Sequence, residues 1–318
     1  MIPPMRSRVL PLLVSAATAV AVAVPLALSG PSQAGAQTLP TQPPANTVEP
    51  GIQLLIPQPG GAAGTTSYAE CTANFVYTNG TSTFIGMAAH CAGTGTSAQT
   101  DCTSPVLPDG TPVFIGEGPV YIDQNGNLSL GEDTAGPEVG TMVYNSWVTM
   151  QNKGIANSAT PECQYNDLAL VQVAPGWTVN PTVPIWGGPN GVAQAGPAQG
   201  STVYSYQNSA LRLGVSALSP KIGLSLGDTP GSGGWSHIVD TVTPGIPGDS
   251  GSGFMDSSGN AFGVLSTLDA GVPPSAYGVD NAVGDVNLEL AFCSANGGLG
   301  TVHLVPGTTP FSGLPGGL

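Results

Sequence analysis

Positive charge is scarce in this sequence: its 318 residues carry only five Lys and Arg against 19 Asp and Glu. No Lys or Arg occurs between Arg8 and Lys153. A chain this acidic has almost nothing with which to neutralise phosphates, which excludes nucleic acid as a partner and makes an anionic membrane surface an equally poor one. Histidine is scarce too, with three copies, and His237 and His303 lie in apolar runs without metal-ligand spacing. No glycine motif that cradles phosphate occurs. Asp123-Gln-Asn125-Gly-Asn127 resembles the start of a calcium loop, but its glycine is misplaced and Thr134 stands where a Glu is needed. No metal or cofactor is therefore expected. After residue 36 no apolar run of membrane length follows, so stable membrane association is not expected either.

The amino-terminal segment reads as an export signal. Arg6 and Arg8 precede the apolar run Val9–Leu28, and Ala34-Gly35-Ala36 presents small residues for cleavage. Residues 1–36 are thus expected to be removed and the protein secreted, the alternative being a retained membrane anchor. Residues 37–66 are rich in Pro, Gly and Thr and read as a linker or pro-segment. Five cysteines in an exported chain suggest two disulfides and one thiol left over. The sequence does not fix the pairing. Cys71 and Cys91 flank one hairpin, Cys102 and Cys163 would then make the second bridge, and Cys293 would remain as a buried thiol.

Glycine and proline are abundant, 46 and 31 residues, and mostly punctuate short apolar runs. That distribution favours an all-β fold of many short strands. Asn79-Gly80 between Cys71–Tyr77 and Ser82–Met87 is a strong hairpin signal, because both residues tolerate positive φ. Further strands are expected at Thr111–Ile115, Thr141–Met150, Leu168–Val173, Ser201–Gln207, Gly214–Leu218, Ser236–Val242, Gly251–Met255 and Ala261–Thr267. Asp256–Asn260 is a turn, and Pro175–Gly200 is the natural crossover between two halves. The spacing of Val283, Val286 and Leu290 predicts a helix over 281–294, capped by Asn281.

Three segments carry chemistry. Gly86-Met-Ala-Ala-His90-Cys91 ends an apolar strand in a histidine; Asn166-Asp167-Leu-Ala-Leu-Val-Gln-Val173 heads a strand with an acid; Pro247-Gly-Asp-Ser250-Gly-Ser-Gly253 wraps a serine in glycines. A serine hydroxyl is a weak nucleophile without a base in hydrogen-bond reach. Histidine can take and return that proton near neutral pH, and a buried carboxylate fixes its tautomer. Glycines let the backbone turn tightly and aim the N–H groups of Gly248 and Ser250 at a developing oxyanion. Singly, each segment has a plainer explanation: a packed histidine, a turn aspartate, a glycine-rich loop. Their joint occurrence in this order is the stronger signal.

AAHC, NDLALVQV and GDSGSG resemble the signature segments of trypsin/chymotrypsin-like serine proteases of the secreted bacterial type, over roughly Cys71 to Leu304. The resemblance implies two antiparallel β-barrels, over 67–178 and 179–318, with the active site between them and a short helix in the carboxy-terminal region. It implies His90 as general base, Asp167 as its orienting acid, Ser250 as nucleophile, and Gly248 with Ser250 as the oxyanion hole. Cys71–Cys91 would match the bridge that anchors the histidine loop. Ala261–Leu268 resembles the strand that pairs with the substrate backbone, which makes Ser266, Thr267 and Leu268 substrate-binding candidates, with Ser266 also bonding the acid.

Two departures bear on specificity and activation. Pro244 stands where basic-specific relatives carry an acid, and Leu265 stands where glutamate-specific relatives carry a histidine, so an uncharged, apolar or small side chain is expected at the cleaved bond. Tryptic-type activation near the mature amino terminus is excluded, and Arg212 becomes the candidate internal partner of Asp249, a surface arginine being the alternative. The expected function is a monomeric secreted serine endopeptidase acting on protein or peptide substrates. The alternatives are a catalytically inactive, protease-like secreted binding protein and a glycine-rich adhesive β-protein.

Overall fold

The computed structural model describes residues 46–59, 66–94, 101–116, 120–122, 128–130, 135–269 and 280–313. The expected signal peptide and the Asp123–Asn127 turn lie outside them. Among the described residues, no helix is long and apolar enough to cross a membrane.

The first sheet is built from β1 (Gln53–Gln58), β2 (Ser67–Thr72), β3 (Val76–Thr78), β4 (Thr83–Ala88), β5 (Pro112–Gly116), β6 (Ala135–Asn145) and β7 (Leu168–Val173). Its order is β3-β4-β7-β6-β5-β1-β2, and His303–Leu304 adds an edge beside β3. β2 runs on through Ala73 and Asn74 into β3, and Asn74 N donates to Gly86 O of β4 at 2.9 Å while Gly86 N donates to Phe75 O at 3.0 Å. One bent strand therefore pairs with β1 at one end and β4 at the other, and the sheet curls closed. The Asn79-Gly80 turn joins β3 to β4 as expected, with Gly80 at φ +87°. Val76, Phe84, Ile85, Met87, Leu168 and Leu170, from both faces of the sheet, are buried in the apolar core.

The second sheet contains β8 (Thr202–Tyr206), β9 (Pro220–Asp228), β10 (Ser236–Thr241), β11 (Gly253–Met255), β12 (Asn260–Asp269) and β13 (Asp280–Asp285). The order β12-β11-β8-β9-β10-β13 is closed by the β12–β13 pairing into a six-stranded barrel. Val203, Val239, Phe254, Phe262, Leu265 and Val283 form its centre. Among the described residues, three α-helices complete the fold: α1 (Ser146–Asn152), α2 (Pro161–Tyr165) and α3 (Val286–Asn296). The disulfides are Cys71–Cys91 and Cys102–Cys163, and Cys293 is a buried free thiol.

Several expectations are corrected. The supposed linker 37–66 contains β1, whose Leu54 and Ile56 are fully buried. Pro57 is tolerated there because β5 pairs with β1 only at Leu54 and Leu55, so no neighbour needs its missing N–H. The strand expected at Thr141–Met150 ends at Asn145, whose Oδ1 accepts from the N–H groups of Trp147 and Val148 and starts α1. Gly214–Leu218 is not a strand: Ser216–Leu218 is a single 3-10 turn, and the strand that follows, β9, carries no clear signal because Lys221, Gly223 and Ser225 occupy its buried positions. The helix expected over 281–294 begins only at Val286, because Asp285 accepts from Leu288 N and residues 281–285 belong to β13. Finally, His303–Leu304 leaves the second half to join the first sheet.

Candidate active site

His90 sits in the 3-10 turn Ala89–Ala92 that ends β4, and Asp167 sits between α2 and β7. The β4–β7 pairing places Leu168 opposite Ala88, so the histidine and the acid emerge from adjacent strand ends. Asp167 is fully engaged. Its Oδ1 accepts from His90 N at 2.8 Å, its Oδ2 lies 2.7 Å from His90 Nδ1, and the same Oδ2 accepts from Ser266 Oγ at 2.6 Å. Its backbone oxygen accepts from Ala89 N at 2.8 Å. Asp167 is buried, whereas the His90 side chain is 23% exposed, so only the imidazole has a path to solvent. Burial pulls the imidazole pKa down, but the charge and hydrogen bond of Asp167 outweigh it, and the net displacement is upward.

Ser250 comes from the second half and is seated on the first. Its carbonyl accepts from Thr72 N at 2.7 Å. Gly251, at φ +89°, allows the approach: a Cβ there would lie 2.6 Å from Thr72 O and 2.8 Å from Ala88 N. The serine turn thus packs on the ends of β2 and β4, beside the turn that carries His90. The flanking peptides are pinned. Thr72 Oγ1 donates to Gly248 O at 2.8 Å, and Ser209 Oγ donates to Pro247 O at 2.6 Å. Among the described residues, no acceptor is bonded to the N–H of Gly248 or Ser250.

Asp249 is fully buried, accepts from Ile246 N at 2.8 Å, and pairs with the guanidinium of Arg212, itself only 8% exposed. Burial still raises its pKa, with Arg212, the Ile246 N–H and Lys221 opposing. The surface alternative for Arg212 is therefore dropped.

Pro244 is half-buried and precedes Gly245, whose N–H donates to Asn281 Oδ1 at 2.8 Å. A Cβ on Gly245 would lie 3.0 Å from Leu265 and 3.7 Å from Leu268. Leu265 and Leu268 thus flank Gly245 together with the Asn281 amide oxygen; Leu265 is buried in the centre of the second barrel, Leu268 is exposed, and Thr267 on the same strand is half-buried. His237 is buried between Asp228 and Asp285, with each ring nitrogen 2.8 Å from a carboxylate oxygen.

Sequence reasoning missed Glu70, Thr72, Ser209 and Glu289. Glu70 Oε1 accepts from Ala210 N at 2.7 Å, and its Oε2 faces Gly248, where a Cβ would lie 2.4 Å away. Burial pushes the Glu70 pKa up to about 7; the Ala210 N–H lowers it, Asp249 raises it and Arg212 lowers it. No local pattern announces these residues, since each partner is distant in the chain.

No family model matches the chain, and no curated protein matches it. Among solved structures it is similar to Thermobifida fusca protease A, at 16% identity and a TM-score of 0.44, covering 82% of this chain and 100% of that one. It is also similar to a glutamic acid specific serine protease that uses a histidine triad in substrate binding, at 16% identity and a TM-score of 0.42, covering 81% and 100%. A third is an alpha-lytic protease homologue, at 18% identity and a TM-score of 0.37, covering 77% and 96%.

Proposed function

We propose that this protein is a secreted serine endopeptidase that cleaves peptide bonds through Ser250, His90 and Asp167. The observation that carries the reading is the double grip of Asp167 on His90, at the backbone N–H and at Nδ1, next to a glycine-flanked serine turn. With Nδ1 bonded to the acid, Nε2 is left as the proton acceptor. In this reading His90 removes the Ser250 proton as Oγ attacks the scissile carbonyl, and Asp167 stabilises the resulting imidazolium. The proton then passes to the leaving amine, and water repeats the sequence on the acyl-enzyme. The N–H groups of Gly248 and Ser250 would stabilise each oxyanion, a contribution of about 3 kcal/mol for a single donor.

Pro244 and Leu265, neither of them charged, support an uncharged or apolar side chain at the cleaved bond, with Ser266 to Leu268 lining the substrate backbone. Protein or peptide is thus the partner, and the chain acts as a monomer outside the cell after removal of residues 1–36.

Labelling with a fluorophosphonate probe, followed by peptide mapping, tests the assignment. Modification of Ser250 that disappears in Ser250→Ala and His90→Ala is expected, together with loss of hydrolysis by several orders of magnitude. A folded protein that neither labels nor cleaves a peptide library would be the inactive binding protein instead.

A further inference from the structure

Glu289 is a carboxyl group with no solvent access, carried on α3, an element that supplies none of the three residues proposed to do the chemistry. Its Oε1 accepts from the backbone N–H of Asp167 at 2.8 Å. The slot it enters is shaped for it: a Cβ on Gly284 would lie 2.4 Å from Oε1, so only glycine leaves room. One turn earlier Asp285 accepts from Leu288 N at the start of α3 and from His237 on β10, which fixes the helix that delivers the carboxyl. Asp167 is thereby held at its N–H by Glu289, at its carbonyl by Ala89 and at its carboxylate by His90 and Ser266.

We propose that Glu289 is a positioning residue for the triad, acting through the backbone of Asp167 and thereby on His90. The inference rests on the protease reading given above.

The carboxyl does this work as a neutral acid. Burial pushes it well above the ordinary carboxylate range; the Asp167 N–H lowers it, and the charges of Asp167 and Asp285 raise it further. The other titratable groups facing it are Tyr77 from β3, Tyr144 from β6 and Cys293 from its own helix, all raised by burial and uncharged near neutrality. Among the described residues Oε2 has no hydrogen-bond partner, a modest cost for a hydroxyl and a severe one for an anion. A neutral acceptor holds the N–H without setting a second negative charge beside the His90–Asp167 pair.

The test follows the imidazole directly, by NMR titration of His90 in the isotope-labelled protein, alongside kcat and KM. Glu289→Gln keeps a neutral acceptor in nearly the same shape. It is expected to leave the His90 midpoint in place and kcat within about twofold. Glu289→Leu removes the acceptor, so Asp167 loosens, the His90 midpoint falls, and kcat drops roughly ten- to a hundredfold at unchanged KM. Should the leucine variant not fold, Gly284→Ala replaces it, because the added methyl displaces Oε1 while leaving the acid in place, and the same shifts are expected. The role is overturned if the leucine or alanine variant titrates and turns over like wild type, or if Glu289→Gln shifts the midpoint as far as they do. Because the titration needs no turnover, a midpoint that moves as described in a protein that cleaves nothing would sink the protease reading alone.

Discussion

The guanidinium of Arg212 is paired with the carboxylate of Asp249, the residue directly before Ser250, and both groups are inside the protein. Two buried charges are costly to desolvate, and the pair is tolerated because each answers the other. Its position matters more than its net energy. Asp249 also accepts from Ile246 N, so the pair tethers the Ile246–Ser250 segment to the 210–212 turn. Lys221 stands close enough to feel both charges; burial lowers its pKa to about 8, with Arg212 lowering and Asp249 raising it.

Arg212→Leu should therefore strand Asp249 without its partner. The expected loss is about 3–5 kcal/mol of unfolding free energy in urea titrations, with peptide hydrolysis falling in parallel. A leucine variant with the wild-type midpoint would mean that Lys221 alone satisfies Asp249.

Under the protease reading, Ser209 would act on the oxyanion side. In a trans peptide the carbonyl and the following N–H point in opposite directions, so the Ser209 hydroxyl on Pro247 O turns Gly248 N the other way. Ser209→Ala frees that peptide to rotate. The expected result is a kcat about tenfold lower with KM little changed, short of the 10²–10³ seen when a donor is removed outright. Matched kinetics for the two proteins would show that the peptide needs no such restraint.

Glu70 predicts a pH-dependent stability. Its folded pKa of about 7 lies above its ordinary value of 4.5, so between these the native state holds a proton that the unfolded state has released. Stability from this group is then full below pH 4.5 and declines as the pH rises towards 7. Above that the penalty is constant. Glu70→Gln should remove this decline, so unfolding free energies of variant and wild type should diverge across the window in the variant's favour. Parallel curves would show that Glu70 is charged throughout.

Much of the site was readable because its determinants are local. A histidine ending an apolar strand, an acid starting one and a serine between glycines need only their immediate neighbours to be noticed. Hairpin register was readable at Asn79-Gly80 for the same reason, since a two-residue turn constrains its own strands. The misreadings have a common cause as well. Residues 281–290 satisfy a helical spacing, yet hydrogen bonding to β10 and β12 claims the first five as strand, and Asp285 marks the real start of α3. β1 was taken for linker because the prolines and glycines around it are local signals, whereas its burial depends on strands that come later.

The amino-acid order by itself determined the β-rich class, the acidic composition and the three residue types proposed for acyl transfer. Tertiary structure alone decided what surrounds them: Glu289 under Asp167, Glu70 beside Gly248, Ser209 on Pro247 and Arg212 on Asp249. The reason is that a buried polar group is defined by what replaces its water, and those replacements come from parts of the chain that only folding brings together.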